Sequence, residues 1–317
     1  MKLLLLRGQV PTDRGKDGWK EILYPTIGQC DDIYTLMAHA LTPDMKNDWC
    51  EVVYWGHDRQ QMAAANMWEI WKKDLADYRP AMDPDVIWAR GGFPEYEPVL
   101  RRYPNAFKIY YGAGKRFVPT GFTDYNLVLV DCDEQRRIVE KKFPGIFCQV
   151  WFKPAPPQFV PMATEKKYDV CFVAVHPEDE RKRVQWVYDT VPRDLKVLQI
   201  GGRPKTCPTN VRVTRALRCR MPALMNQCRV GVVPYTKDDS GPRVLSEFLA
   251  CRIPVVCSKE LRMPWGLPRY EDPRFWGRVR AMIDRPTCPR VDASIDNCAF
   301  LLRHLTYGRK KEAFSEQ

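Results

Sequence analysis

Val230-Gly231-Val232-Val233-Pro234-Tyr235-Thr236-Lys237-Asp238-Asp239-Ser240-Gly241-Pro242-Arg243-Val244-Leu245-Ser246-Glu247-Phe248-Leu249-Ala250-Cys251-Arg252-Ile253-Pro254-Val255-Val256 reads as a strand, a polar loop, a capped helix and a second strand. The apolar, β-branched runs at either end are what a parallel sheet buried on both faces requires. Ser240 is placed to cap the helix and Pro242 to lie in its first turn. Along the helix Val244, Leu245, Phe248 and Leu249 form an apolar stripe, while Arg243 and Glu247, four residues apart, share another edge. An arginine in the first turn opposes the helix dipole unless it has an anion to hold. A diphosphate at the helix N-terminus supplies one, and Glu247 can then accept hydrogen bonds from ribose hydroxyls. The same two residues equally describe a surface ion pair, worth about 0.3–0.5 kcal/mol.

Working outward, the same rhythm recurs on both sides. Apolar runs at Leu3–Leu6, Glu51–Trp55, Val86–Ala89, Phe107–Tyr111, Leu127–Val130 and Phe147–Phe152 are followed by turn residues and helix-length stretches. Met62–Leu75 and Glu134–Lys142 are the helical segments of this half. A second series comprises Val170–Val175, Lys196–Ile200, Val211–Val213, Val230–Val233 and Pro254–Cys257. Strands alternating with helices predict parallel α/β sheets, here two Rossmann-like domains in tandem. Lys153–Pro161 holds four prolines in nine residues and is the natural linker. The expected division is an N-terminal domain over 1–153, a linker over 154–161, a C-terminal domain over 162–300, and a terminal helix or tail over 301–317. Gly308-Arg309-Lys310-Lys311 reads as a frayed, solvated end.

Composition narrows the function classes. At 45% hydrophobic residues over 317, the chain has enough apolar material for two cores, which excludes a disordered or fibrous protein. The first 160 residues hold 21 Lys and Arg against 21 Asp and Glu, so the whole excess of +11 belongs to the second half. Such a field concentrates anions there without saying whether they are nucleotides, nucleic acid or a membrane surface. Twelve cysteines are scattered without one CxxC pair, and there are four histidines. That argues against a zinc site and for reduced core thiols in a cytoplasmic protein. Leu3–Leu6 is too short for a signal-peptide core, and no run approaches the 18 apolar residues of a membrane span.

Ligands of parallel sheets bind at the carboxyl ends of strands, where loops and helix N-termini present free N–H groups. In the first domain this nominates Gln9–Asp13, Gly56-His57-Asp58, Arg90-Gly91-Gly92, Gly112–Lys115 and Asp131; in the second, His176–Arg183, Gly201-Gly202-Arg203 and Tyr235–Arg243. Gly112-Ala113-Gly114-Lys115 lacks the spacer and the hydroxyl residue of a phosphate-binding loop and reads as a turn. Trp49, Trp55, Trp68, Trp71 and Trp88 are read mainly as core, with room for one or two rings to stack on a sugar or base.

The quoted stretch resembles the nucleotide-sugar-binding segment of GT-B glycosyltransferases: an acidic residue, seven others, Glu on a helix, then Ala-Cys-Gly-x-Pro-Val-Val. Asp239 and Glu247 occupy the acidic places and Ala250–Val256 the remainder. Arg243-Val244-Leu245-Ser246-Glu247, together with a domain opening at Asp169–Ala174 and an Arg-bearing Glu180–Arg183, is similar to the spore-maturation-type, group 1 branch. The resemblance covers roughly residues 168–260. It implies a two-Rossmann GT-B architecture with an interdomain cleft, the acceptor held by the N-terminal domain and the nucleotide-sugar by the C-terminal one, and a hexosyl- or pentosyltransferase with no cofactor or metal beyond its donor, a UDP-sugar. Glu247 would hold the ribose. Arg243, Arg181 and Arg183 would hold the diphosphate, with Tyr235, Ser240 and Gly241 at the same helix mouth, while Gly201 and Gly202 would let the backbone approach the donor. Two positions depart from the family pattern. Arg252 replaces the glycine after Ala-Cys, and no histidine follows the strand ending Ile109-Tyr110-Tyr111-Gly112, where retaining members carry one. An inverting enzyme needs a general base from the first domain, for which Asp13, His57 and Asp58 are the candidates, each also readable as a turn or cap residue.

The acceptor is left open between a glycan, a small molecule and DNA carrying a hydroxymethylated pyrimidine, as in phage-type DNA modification. Two other functions fit the same residues: a non-catalytic nucleic-acid-binding protein using the basic half, and a nucleotide-sugar epimerase or phosphorylase.

Overall fold

Parallel strands with both faces buried need helices on each side, and the chain builds two such sheets. The computed structural model describes residues 1–9, 33–44, 46–55, 59–64, 67–72, 74–112, 125–204, 206–236, 242–261, 269–289 and 292–315. It divides into two units, Met1–Trp151 with Ile295–Gln317, and Phe152–Ser294.

The first unit runs β1 (Lys2–Gln9), α1 (Ile33–Leu41), β2 (Trp49–Trp55), β3 (Arg59–Ala64), β4 (Met67–Lys72), β5 (Val86–Arg90), α2 (Glu97–Arg102), β6 (Phe107–Gly112), β7 (Leu127–Val130), α3 (Asp133–Lys142) and β8 (Cys148–Val150). Its sheet has the order β3-β4-β2-β1-β5-β6-β7-β8, and every neighbouring pair is parallel except β3 with β4. Leu4, Leu6, Ile87 and Ala89 pack on one face with Val99 and Leu100 of α2. The helix expected over Met62–Leu75 is instead this β3–β4 hairpin, with Met62 opposite Trp68. Trp68 and Ile70, two apart, reach the same core as Leu4 and Leu6, so the period of two overrides the helical spacing.

The second unit runs β9 (Tyr168–Ala174), α4 (Val184–Thr190), β10 (Val197–Gly201), β11 (Val211–Thr214), α5 (Met221–Asn226), β12 (Cys228–Val233), α6 (Arg243–Ala250), β13 (Val255–Ser258), β14 (Arg269–Tyr270) and α7 (Asp272–Asp284). The sheet order is β11-β10-β9-β12-β13-β14, wholly parallel. Cys171, Val173, Leu198 and Ile200 meet α5 and α6 on one side. Val170, Phe172, Val197 and Val232 meet α4 and α7 on the other. This is the doubly wound arrangement expected of a Rossmann-like domain.

The chain then returns to the first unit through α8 (Ile295–Ser315), whose Arg303 donates to the Leu41 carbonyl (2.8 Å) and pairs with Asp48 (3.1 Å). Residues 295–300, expected in the second domain, therefore belong to the first. The expected frayed stretch Gly308–Lys311 lies inside α8. The proline-rich stretch packs as part of the second unit rather than as a free linker: Ala155 and Phe159 are buried in its core, and the Ala155 N–H donates to the Ala293 carbonyl (2.9 Å). Among the described residues eight cysteines are buried free thiols, and burial pushes Cys148 and Cys251 up to about 12. No helix among the described residues is long and apolar enough to cross a membrane.

Both ends of α6 depart from the sequence expectation. The cap residue is Pro242, extended at φ −65° and ψ 127°, so Pro242 precedes the helix and Arg243 is its first residue; Ser240, the expected cap, lies outside the described residues. At the other end the Arg252 N–H donates to the Leu249 carbonyl (2.9 Å) and the Ile253 N–H to the Phe248 carbonyl (2.9 Å), the paired bonds of a Schellman turn. That turn needs a left-handed residue, and here it is Arg252, at φ 53°. The glycine of the family pattern thus answers a backbone requirement that arginine meets under strain. Arg252→Gly is expected to stabilise the chain by about 1 kcal/mol, raising its melting temperature by roughly 2–4 °C, read by thermal denaturation.

Candidate functional site

A doubly wound sheet offers its ligand crevice where the strand order reverses, which in the second unit is between β9 and β12. Three loops leave the carboxyl ends of β9, β10 and β12, and backbone contacts tie them together. The Gly202 N–H donates to the Ala174 carbonyl (3.0 Å), and the Thr236 N–H donates to the Arg181 carbonyl (3.0 Å). Ala174 ends β9, Gly202 follows β10, and Thr236 follows β12, so the fold brings together three of the loops nominated from the sequence.

Close approach of the first two loops explains Gly201 and Gly202. A Cβ on Gly201 would lie 2.0 Å from the Ala174 carbonyl oxygen, and Gly201 has φ +141°, outside the range of side-chain-bearing residues. A Cβ on Gly202 would lie 2.6 Å from Cδ of Pro177. Buried Gln199 accepts from the Tyr188 hydroxyl and donates to the Gly202 carbonyl (2.7 Å), fixing the turn. These glycines are thus required by the packing of one loop on the other, whatever else approaches them.

Glu247 and Arg243 share an edge of α6 as expected, with Arg243 Nε 3.6 Å from a Glu247 carboxylate oxygen. The surface-pair alternative does not hold for Glu247, which is 1% exposed, whereas the Arg243 side chain is 38% exposed. A buried carboxylate costs several kcal/mol in desolvation, so packing alone does not select glutamate here. Beside it, the Ser246 hydroxyl donates to the Lys153 carbonyl and anchors the proline-rich stretch.

Three residues expected to meet a ligand each have partners within the second unit. Arg183, left-handed at φ 53°, forms a double contact with Asp272 (3.1 and 2.5 Å) and stacks on Trp186 at 4.3 Å, which fastens α4 to α7. Arg181 clasps Asp179 through Nε and Nη2 (2.9 and 2.7 Å), holding that carboxyl below its usual range. Tyr235 is 2% exposed, and its hydroxyl donates to the Val173 carbonyl (2.5 Å), so it staples the loop after β12 to β9. Over the Tyr235 ring, at 3.9 Å, lies Lys182, which belongs to the nominated His176–Arg183 loop but was given no ligand role there. Asp13, His57, Asp58, Asp239, Ser240 and Gly241 lie outside the described residues.

The architecture can be compared with known proteins. No family model matches the sequence, and no curated protein matches it. Among solved structures, a glycosyltransferase from Rickettsia africae superposes with a TM-score of 0.62 at 8% identity, over 99% of this chain and 97% of that one. Sucrose-phosphate synthase from Thermosynechococcus elongatus superposes with 0.61 at 11% identity, over 100% of both chains. Anabaena HepE, solved in complex with UDP, gives 0.59 at 12% identity, over 100% of this chain and 99% of that one. The likeness covers both units, well beyond the stretch in which the sequence carries a motif. It shows the fold, an α/β chain of GT-B type with two Rossmann-like domains.

Proposed function

We propose that this GT-B chain is a glycosyltransferase that binds a UDP-sugar on its second unit and transfers a hexose or pentose to an acceptor hydroxyl. The observation that carries the reading is Glu247, a carboxylate buried on the helix that follows β12 at the reversal of strand order, with Arg243 one turn ahead of it. Uridine is preferred as the base because the Anabaena neighbour was solved with UDP. Breaking the glycosyl-phosphate bond gathers negative charge on the leaving diphosphate. Arg243, Lys182 and the first N–H groups of α6 supply fixed positive potential there, so no metal ion is required. For an inverting reaction the base that deprotonates the acceptor comes from the first unit, with Asp13, His57 and Asp58 as candidates. The buried free thiols fit a reducing, cytoplasmic setting.

The test is release of nucleotide from a panel of nucleotide-sugars. UDP-sugar turnover is expected in the wild type, with Arg243→Ala slower by about 10²-fold, the usual cost of losing one charge-stabilising donor. Turnover of no nucleotide-sugar, together with no rise in melting temperature on adding any of them, would overturn the reading.

For the acceptor, one observation favours DNA as a second reading. Residues 196–236 hold eight Lys and Arg and no Asp or Glu, and Arg212 on the edge strand β11, with Arg215 and Arg220 in the segment between β11 and α5, is exposed as they are. Duplex DNA affinity falling steeply from about 50 to 200 mM salt supports it, and a flat response removes it.

A further inference from the structure

Arg183 joins the loop after β9 to α4 in a left-handed conformation, φ 53° and ψ 36°, which costs a side-chain-bearing residue about 1–2 kcal/mol and a glycine almost nothing. Its side chain gives the reason for an arginine there. Nη1 and Nη2 donate to the two carboxylate oxygens of Asp272, the first residue of α7 (3.1 and 2.5 Å), and Cζ lies 4.3 Å from the centre of the Trp186 ring. Trp186 is itself stacked on Trp276 of α7 at 6.1 Å and meets the buried Phe275 edge-on at 5.3 Å. The Arg183 side chain is only 13% exposed. Pairing with a carboxylate and stacking on an indole at once is a task for a planar guanidinium, which lysine cannot perform. Asp272 stands where the α7 dipole favours a negative charge.

What this contact holds still is the single turn just before it, Glu180–Lys182. At its start the Asp179 carboxylate accepts from the Arg181 N–H (3.1 Å) and from the Arg181 guanidinium. On its side the Arg181 carbonyl accepts from the Thr236 N–H (3.0 Å). Its last residue, Lys182, lies over the ring of Tyr235 at 3.9 Å. Tyr235 in turn is fixed at both ends, since its hydroxyl donates to the Val173 carbonyl and its carbonyl accepts from the Ser258 hydroxyl (both 2.5 Å). The ammonium of Lys182 is therefore set against the residue that opens the loop leading from β12 to α6. A free lysine side chain loses about 2 kcal/mol of rotamer entropy when a ligand fixes it, and a cation placed beforehand avoids much of that loss.

We propose that Arg183 and Asp272 are positioning residues for the donor: their contact, stacked on Trp186, sets the Glu180–Lys182 turn so that Lys182 meets the diphosphate. The proposal rests on the UDP-sugar reading. It is tested by titrating the full chain with UDP and with uridine, which lacks the diphosphate, by calorimetry. Lys182→Gln should weaken UDP by about tenfold or more and leave uridine unchanged, because it removes a charged contact to phosphate alone. Asp272→Asn, at a side chain half in solvent, should weaken UDP by about fivefold, again with uridine unchanged, and Asp272→Glu should recover part of the loss. Adding Asp272→Asn to Lys182→Gln should cost nothing further, since one residue acts through the other. A carboxylate that merely stabilises the unit would lower the melting temperature and move both ligands alike. Four results would overturn the proposal: UDP affinity of Asp272→Asn within about twofold of the wild type, UDP affinity kept in Lys182→Gln, equal losses for UDP and uridine, or additive losses in the double variant. Failure of the donor reading shows separately, as absence of UDP binding by the wild type, and takes this proposal with it.

Discussion

Glu247→Gln is expected to weaken UDP binding by about 10²-fold, measured by titration calorimetry, while leaving the free chain folded. The substitution keeps the shape of a side chain that is 1% exposed, so it opens no cavity in α6. It removes the charge that would draw two ribose hydroxyls, and hydrogen bonds to a charged group contribute about 1.5–3 kcal/mol each. It also relieves Arg243 of its partner at 3.6 Å, and Arg243, 38% exposed, can be resolvated by water. A purely structural carboxylate would give the opposite pattern, with melting temperature changed and UDP affinity kept.

Gly201→Ala is expected to destabilise the second unit by about 3 kcal/mol or more, from two costs that act together. The new methyl carbon would meet the Ala174 carbonyl oxygen at 2.0 Å, and that oxygen already accepts from the Gly202 N–H, so neither loop can retreat without breaking the bond. The backbone at φ +141° would in addition have to be abandoned or held under strain. Denaturant unfolding should show a lowered midpoint, and Arg252→Gly, which relieves a left-handed arginine at the far end of α6, should shift it the other way.

The strand rhythm was legible because parallel strands buried on both faces need unbroken apolar runs, and Val230–Val233 or Leu127–Val130 cannot be read as anything exposed. The β3–β4 hairpin was not, since Met62–Leu75 holds alanines and tryptophans that satisfy either period, and pairing with β2 decides between them. Arg243 and Glu247 could be found from their spacing of four. That Glu247 is buried could not, because burial depends on the sheet beneath α6. Arg181, Arg183 and Lys182 look alike in sequence, and their different tasks are set by Asp179, Asp272 and Tyr235, the last two far along the chain.

In the proposed function one helix, α6, holds both ends of the nucleoside diphosphate. A crystal structure of the chain with UDP tests it most directly. The ribose hydroxyls are expected against the Glu247 carboxylate and the diphosphate at the N-terminus of α6 within reach of Arg243. UDP bound elsewhere, or with its ribose turned away from Glu247, would contradict it.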